Sequence, residues 1–206
     1  MSENTPPLES AVLEVLYKGD RTYLQGGDLY TASTIRCGEA CGPGFLEQLA
    51  FRSFAAKETT LHLGTPGKSD RAFATGRYQT ASEERIEFFL QEGEGEVPGR
   101  YPFDEDHLVS EARLELERKH ASLDRVEGYS PIEHLIALTK KLHYALKPDV
   151  QGKWVFSGLE VDRVLSEETR CFEVTIQRLI SGRFSRSTIY LDGHEAGTIQ
   201  FMVGTP

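Results

Sequence analysis

Basic residues are in short supply. The chain of 206 residues carries 23 Lys and Arg against 32 Asp and Glu, a formal net charge of -9. Nucleic acid and anionic membrane would both repel such a surface, so neither is expected as a partner. Cysteine is scarce too, with Cys37, Cys41 and Cys171 alone. An odd, low count suits free thiols in a reducing compartment. Cys37 and Cys41 form a C-x3-C pair, yet no C-x2-C or H-x3-H cluster accompanies it. Two small residues packed in a turn account for the pair, and no metal or cofactor is expected. Long apolar runs are missing, so no segment reads as a membrane span. The opening MSENTPPLES has neither the basic region nor the apolar core of a secretory signal, and a cytoplasmic location is the expectation. A nucleophile elbow, an ordered Ser-His-Asp set and a Gly-rich phosphate loop are also missing.

What is present is organised around Gly128 to Pro148, GYSPIEHLIALTKKLHYALKP. Ser130 is a preferred N-cap, Pro131 suits the first helical position, and Glu133 completes an S-x-x-E capping box. Pro148 stops the helix, with Lys147 near its negative end. Ile132, Leu135, Ile136, Leu138, Leu142, Ala145 and Leu146 fall on one side, an arc of about half the circumference. So wide an arc suits a wrapping sheet better than a second helix. Beyond it, Trp154 to Leu165, Cys171 to Ile180, Phe184 to Leu191 and Ala196 to Val203 read as strands, with an Asp192-Gly193 hairpin turn.

The earlier part is less regular. Residues 1–8 read as a frayed tail. Ala11 to Leu16 is a short apolar run. Arg21 to Ile35 reads as strands bent at Gly26-Gly27. Phe45 to Lys57, FLEQLAFRSFAAK, reads as a second helix, buried on most sides. Thr59 to Leu63, Ala72 to Gln79 and Arg85 to Gln91 read as strands. Gly93 to Phe103 has linker composition, and His107 to Arg118 alternates like a strand. The expected fold class is α+β, with antiparallel sheets wrapped round a central helix. Residues 9–92 and 104–206 would be two tandem halves with the same element order, joined by 93–103.

The second half resembles a hotdog-fold domain. The resemblance rests on SPIEHLIALTKKL, the strand GLEVDRVL and the ending TIYLDGHEAGTIQFMV. In the first half GPGFLEQLAF is similar to the helix start of hotdog dehydratases. The resemblance implies a double hotdog acting on acyl thioesters of coenzyme A or acyl carrier protein, as a 3-hydroxyacyl dehydratase or a thioesterase. The alternative is a non-catalytic acyl-binding or assembly module. A homodimer is compatible with either.

Thioester chemistry needs a helix N-terminus to polarise the carbonyl and an acid or base near the reacting carbon. Helix starts at Gly44 and Pro131 would meet the first need, with Gly42, Gly44 and Ser130 at the mouth. For the second, the dehydratase pattern pairs a histidine before a helix with a helical carboxylate. His120, Glu133 and Glu47 are the corresponding candidates. The glycine and proline that usually follow the histidine are replaced by Asp124 and Tyr129. Glu133 has a structural role of its own in the capping box. His134 is placed to orient a water or to face solvent. His143 reads as a hydrogen-bonded core residue, and His194 as an exposed turn residue.

Overall fold

The computed structural model describes residues 10–68 and 70–205, so the tail read from residues 1–8 lies outside them. The helix expected after Gly128 is present as α3 (Pro131–Leu146). Glu133 accepts the Ser130 backbone N–H at 2.7 Å and the Ser130 hydroxyl at 2.9 Å, which fixes its first turn. Leu135, Leu138 and Leu142 are wholly buried, as the apolar arc requires.

Four strands follow: β10 (Lys153–Val161), β11 (Cys171–Ile180), β12 (Phe184–Leu191) and β13 (His194–Gly204). Asp192 and Gly193 both have positive φ, 52° and 77°, the backbone a two-residue hairpin turn needs. Along β11, Phe172, Val174 and Ile176 are buried as the alternation implies.

The chain before residue 60 departs from its expected elements. The segment with Gly26 and Gly27 is a helix, α1 (Gly26–Cys41), not bent strands. Its buried residues Leu29, Tyr30, Ser33 and Cys37 share one face. Conversely, Phe45 to Lys57 is not a helix. Gly44–Phe51 is a strand, β3, and the rest is irregular. The physical reason is a bulge. The register of β3 shifts between Leu46 and Gln48, which leaves Glu47 as the extra residue. Leu46 and Leu49 are therefore both buried at a spacing of three, which imitates a helix.

The strands β4 (Thr59–Leu63), β5 (Ala72–Thr80) and β6 (Arg85–Glu92) lie where the alternation puts them. Short pieces complete the chain: β1 (Ser10–Val12), β2 (Tyr17–Lys18), β7 (Arg100–Tyr101), α2 (Glu105–Leu108), β8 (Arg113–Glu115) and β9 (His120–Asp124). The strand expected over His107 to Arg118 is thus reduced to β8, flanked by α2 and a 3-10 turn.

Among the described residues, eleven strands form one antiparallel sheet in the order β1-β4-β6-β5-β3-β10-β13-β12-β11-β9-β8. Its centre is a seam where β3 meets β10 through the pairs Gly158–Ala50, Leu159–Leu49 and Glu160–Gln48. Helix α1 packs on β3 and β5, α3 packs on β9, β10 and β11, and the two helices touch. Separately, β2 and β7 form a small parallel pair, with Tyr17 opposite Arg100 and Lys18 opposite Tyr101. The supposed linker therefore contributes a strand. Among the described residues no helix is long and apolar enough to cross a membrane.

Candidate functional site at the two helix starts

The starts of α1 and α3 are joined by one buried cation. Lys18, on β2, places its ammonium 2.7 Å from Asp28 Oδ1 and 2.6 Å from Glu133 Oε1. Its side chain is 4% exposed. The phenol of Tyr101 donates to Asp28 Oδ1 at 2.9 Å, and the ring of Phe103 lies 4.3 Å from the ammonium. Burial alone would favour a neutral amine. The two carboxylates outweigh it and hold the Lys18 pKa above the usual lysine range. Burial would likewise raise the Glu133 carboxyl, but Lys18 and the Ser130 hydrogen bonds keep it below its ordinary value. Burial pushes Tyr101 up to about 12, so it stays a donor. Each carboxylate also sits in the first turn of a helix, where the dipole favours negative charge.

A second network lies beside the first. Glu105, at the start of α2, receives Arg21 at 2.6 Å and Lys140 of α3 at 2.5 Å. Burial lowers the pKa of Lys140, with Glu105 opposing. A small gap of about 20 Å³ separates the two networks, walled by Lys18, Arg21, Gln25, Glu105, Glu133 and Lys140.

Lys140 and Gln25 also wall an apolar cavity of about 100 Å³. Leu24 and Leu29 close it at α1, Phe51 and Phe73 on the β3 side, and Trp154 and Phe156 on β10. It thus straddles the seam. Tyr23, Lys140 and Trp154 border an open cleft as well, of about 950 Å³, which connects the region to solvent. Gly26 and Gly27 permit the close approach. A Cβ at Gly26 would stand 2.5 Å from the Phe156 ring, and one at Gly27 3.2 Å from Ile136. No side chain caps the start of α1. The Asp28 N–H turns back to the Gln25 carbonyl at 3.0 Å, so Gly26 and Gly27 carry the N–H groups that this helix start presents to an anion or a polarised carbonyl.

Of the residues chosen from sequence, Glu133 and Ser130 belong to this site. The others do not. Glu47 is on β3, where Arg77 holds it at 2.6 Å and Arg85 at 3.1 Å. His120 is on β9, 3.0 Å from the Thr175 hydroxyl and 3.5 Å from Glu173. Neither borders the cavities described above. Gly42 and Gly44 follow the C-terminal end of α1, so the helix start expected at Gly44 is corrected to Gly26. A helix C-terminus presents carbonyls rather than N–H groups, which does not suit a thioester oxygen.

His134 is wholly buried, not at the surface. Its Nε2 accepts the Val126 N–H at 2.9 Å, which leaves the proton on Nδ1, 2.8 Å from the Ser130 carbonyl. Burial lowers its pKa, and it stacks on Phe172 at 4.4 Å. His143 is buried as expected, and it stacks on Trp154 at 4.2 Å. His194 is exposed at the start of β13. Among the described residues no group of three or more His, Cys, Asp or Glu is placed to hold a metal.

The residues that sequence reasoning missed are Lys18, Gln25, Asp28, Tyr101, Glu105 and Lys140. One signal was available: Gly-Gly-Asp is compatible with an acidic first turn at a closely packed helix start, as well as with a bend.

The fold is of the hotdog type, mostly antiparallel sheet with few helices. A dehydratase domain of a mycocerosic acid synthase-like polyketide synthase superposes with a TM-score of 0.55 at 12% identity, covering 96% of this chain and 90% of that one. The dehydratase domain of PpsC from Mycobacterium tuberculosis, in complex with C12:1-CoA, gives 0.51 at 11% identity, covering 96% and 93%. A tesB protein of Mycobacterium avium subs paratuberculosis gives 0.52 at 14%, covering 97% and 96%. No family model matches the sequence, and no curated protein matches it.

Proposed function

We propose that the chain is a double hotdog that acts on acyl thioesters of coenzyme A or acyl carrier protein, with dehydratase-like chemistry. Its halves would be residues 9–92 and 104–206, meeting at the β3–β10 seam. One observation carries the proposal: two helix starts converge on a buried Lys18–Asp28–Glu133 cluster beside an apolar cavity that both sides of the seam wall. Fold likeness to dehydratase domains and to a tesB protein is consistent with it.

In this reading the first N–H groups of α1 hold the thioester oxygen, which acidifies the neighbouring C–H. Glu133, kept ionised by Lys18, takes that proton. The hydroxyl on the next carbon leaves with a proton from the Lys18 ammonium, giving water and an enoyl thioester. Proton return from Glu133 to Lys18 restores the site. His120 and Glu47 have no part in this scheme.

A non-catalytic acyl-binding module is the second reading. It is favoured by the saturation of Glu133, whose two oxygens are taken by Lys18 and Ser130. The two readings separate on a panel of 3-hydroxyacyl-CoAs and acyl-CoAs, with mass detection of water loss and of free thiol. Water loss that disappears in Glu133→Gln supports dehydration. Thiol release without water loss would make the chain a thioesterase. Binding without either product would leave the module.

A further inference from the structure

Gln25 stands at the N-cap of α1, where Ser, Thr, Asp or Asn is the usual choice. It does not cap. Its backbone carbonyl accepts the N–H groups of Asp28 and Leu29, both at 3.0 Å, while its side chain turns elsewhere. The amide Nε2 is buried and has no hydrogen-bond partner among the described residues, and Gln25 borders both the apolar cavity and the small gap between the two ion networks. An unpaired buried amide costs stability, so its place beside a cavity calls for an explanation.

A second unpaired polar group belongs to another residue of the same wall. Ser157 is the extra residue where the β10–β13 register shifts between Phe156 and Gly158. Its Oγ is buried without a partner, and Ser157 walls the cavity with Gln25. Bulges commonly re-aim a side chain beside a binding site. Lys140, Arg52 and Ser53 also stand on the wall, but it is the two unpaired polar groups beside the Phe51, Phe73 and Phe156 rings that match a ligand with one oxygen set into a short hydrocarbon. An amide offers a donor and an acceptor from nearly the same place, and so does a hydroxyl. The cavity of about 100 Å³ is smaller than the roughly 150 Å³ that accommodates benzene.

We propose that Gln25, with Ser157, is the specificity-determining residue for a hydroxyl on a short acyl group, of about four carbons on the cavity-size comparison. This rests on the acyl-thioester reading of the same site. Gln25 immediately precedes the N–H groups assigned to the thioester oxygen. An oxygen on the third carbon of the acyl chain would fall next to them. Phe51, Phe73 and Phe156 close the far side and limit the length.

The test is calorimetric titration of the intact chain with butyryl-CoA, 3-hydroxybutyryl-CoA and decanoyl-CoA. Hydroxybutyryl-CoA should bind at least about tenfold tighter than butyryl-CoA, because a site built for a hydroxyl rejects the analogue that leaves it unpaired. Decanoyl-CoA should bind more weakly than either. Gln25→Leu should bind the two short ligands alike, and Ser157→Ala should narrow their difference. Should Gln25→Leu fail to fold, Ser157→Ala decides alone. If the short ligands bind and both variants keep the full preference, the assignment of Gln25 is wrong while the acyl-thioester reading stands. Tightest binding of decanoyl-CoA overturns the length limit. If no thioester binds, the acyl-thioester reading falls and this inference with it.

Discussion

Replacing Lys18 by Met removes the cation that joins the two helix starts while keeping most of its volume. Lys18 faces Asp28 at 2.7 Å and Glu133 at 2.6 Å, and all three side chains are largely buried, at 4%, 15% and 15% exposure. Removing one partner of a buried ion pair costs about 3–5 kcal/mol, because a charge is left without compensation. Here two carboxylates would be left facing each other, so the upper part of that range is expected. The pH dependence gives a sharper test than the magnitude. In the native chain Glu133 is held below its usual pKa. Its contribution is therefore present above the unfolded value of about 4.3 and is lost as the pH falls through the depressed one. Lys18→Met reverses the sign. Burial is then opposed by the Ser130 hydrogen bonds alone, the Glu133 carboxyl rises, and the variant is weakest at neutral pH and recovers as the solution is acidified. Urea unfolding at pH 5 and pH 8 measures both effects. Adding Glu133→Gln to Lys18→Met should restore part of the loss at pH 8, since it removes one stranded charge. A pH-independent loss under about 1 kcal/mol, the value of a surface pair, would refute the reasoning.

Other outcomes follow from packing and burial. Leu142, wholly buried on α3, should cost about 2–5 kcal/mol when changed to Ala, as read from the denaturation midpoint. Gly44→Ala should lower the melting temperature rather than block ligand, because a Cβ there would lie 2.1 Å from the Gln79 carbonyl on the neighbouring strand; an unchanged melt would contradict the close approach of β3 to β5. Burial holds His143 at about 4. Unfolded His titrates near 6.5, so stability should fall by about 3 kcal/mol as pH drops from about 6.5 to about 4 and level off below. His143→Phe should flatten that limb in urea titrations across the range.

The sequence was legible where local signals agreed with tertiary packing. The capping box, proline and wide apolar arc of α3 all pointed one way, and so did the alternation of β11 and the Asp-Gly turn before β13. The first helix was misread because its strongest cues conflict with propensity. Two glycines open α1, and its buried face of Leu29, Tyr30, Ser33 and Cys37 includes a polar residue, Ser33. The bulge at Glu47 then gave β3 the spacing of a helix. The site was least legible, because it is assembled from β2, α1, β7, α2 and α3. No window of sequence places Lys18 against Glu133; only the fold does. Glu133 entered as the helical carboxylate of the dehydratase pattern, with the capping box as its structural role, and its partner Lys18 was invisible.

The seam between β3 and β10 joins residues about a hundred positions apart in the chain, through three register pairs. Contacts so distant in sequence form late, since the loop between them must be closed before they give anything back. The hairpins on either side of the seam are local and have no such delay. The cavity draws its walls from both sides, so it exists only after this last docking. A refolding chain should therefore regain most of its sheet signal before it regains any affinity for ligand. A ligand that binds only the docked state would then stabilise the step that joins the two sides, in proportion to its concentration.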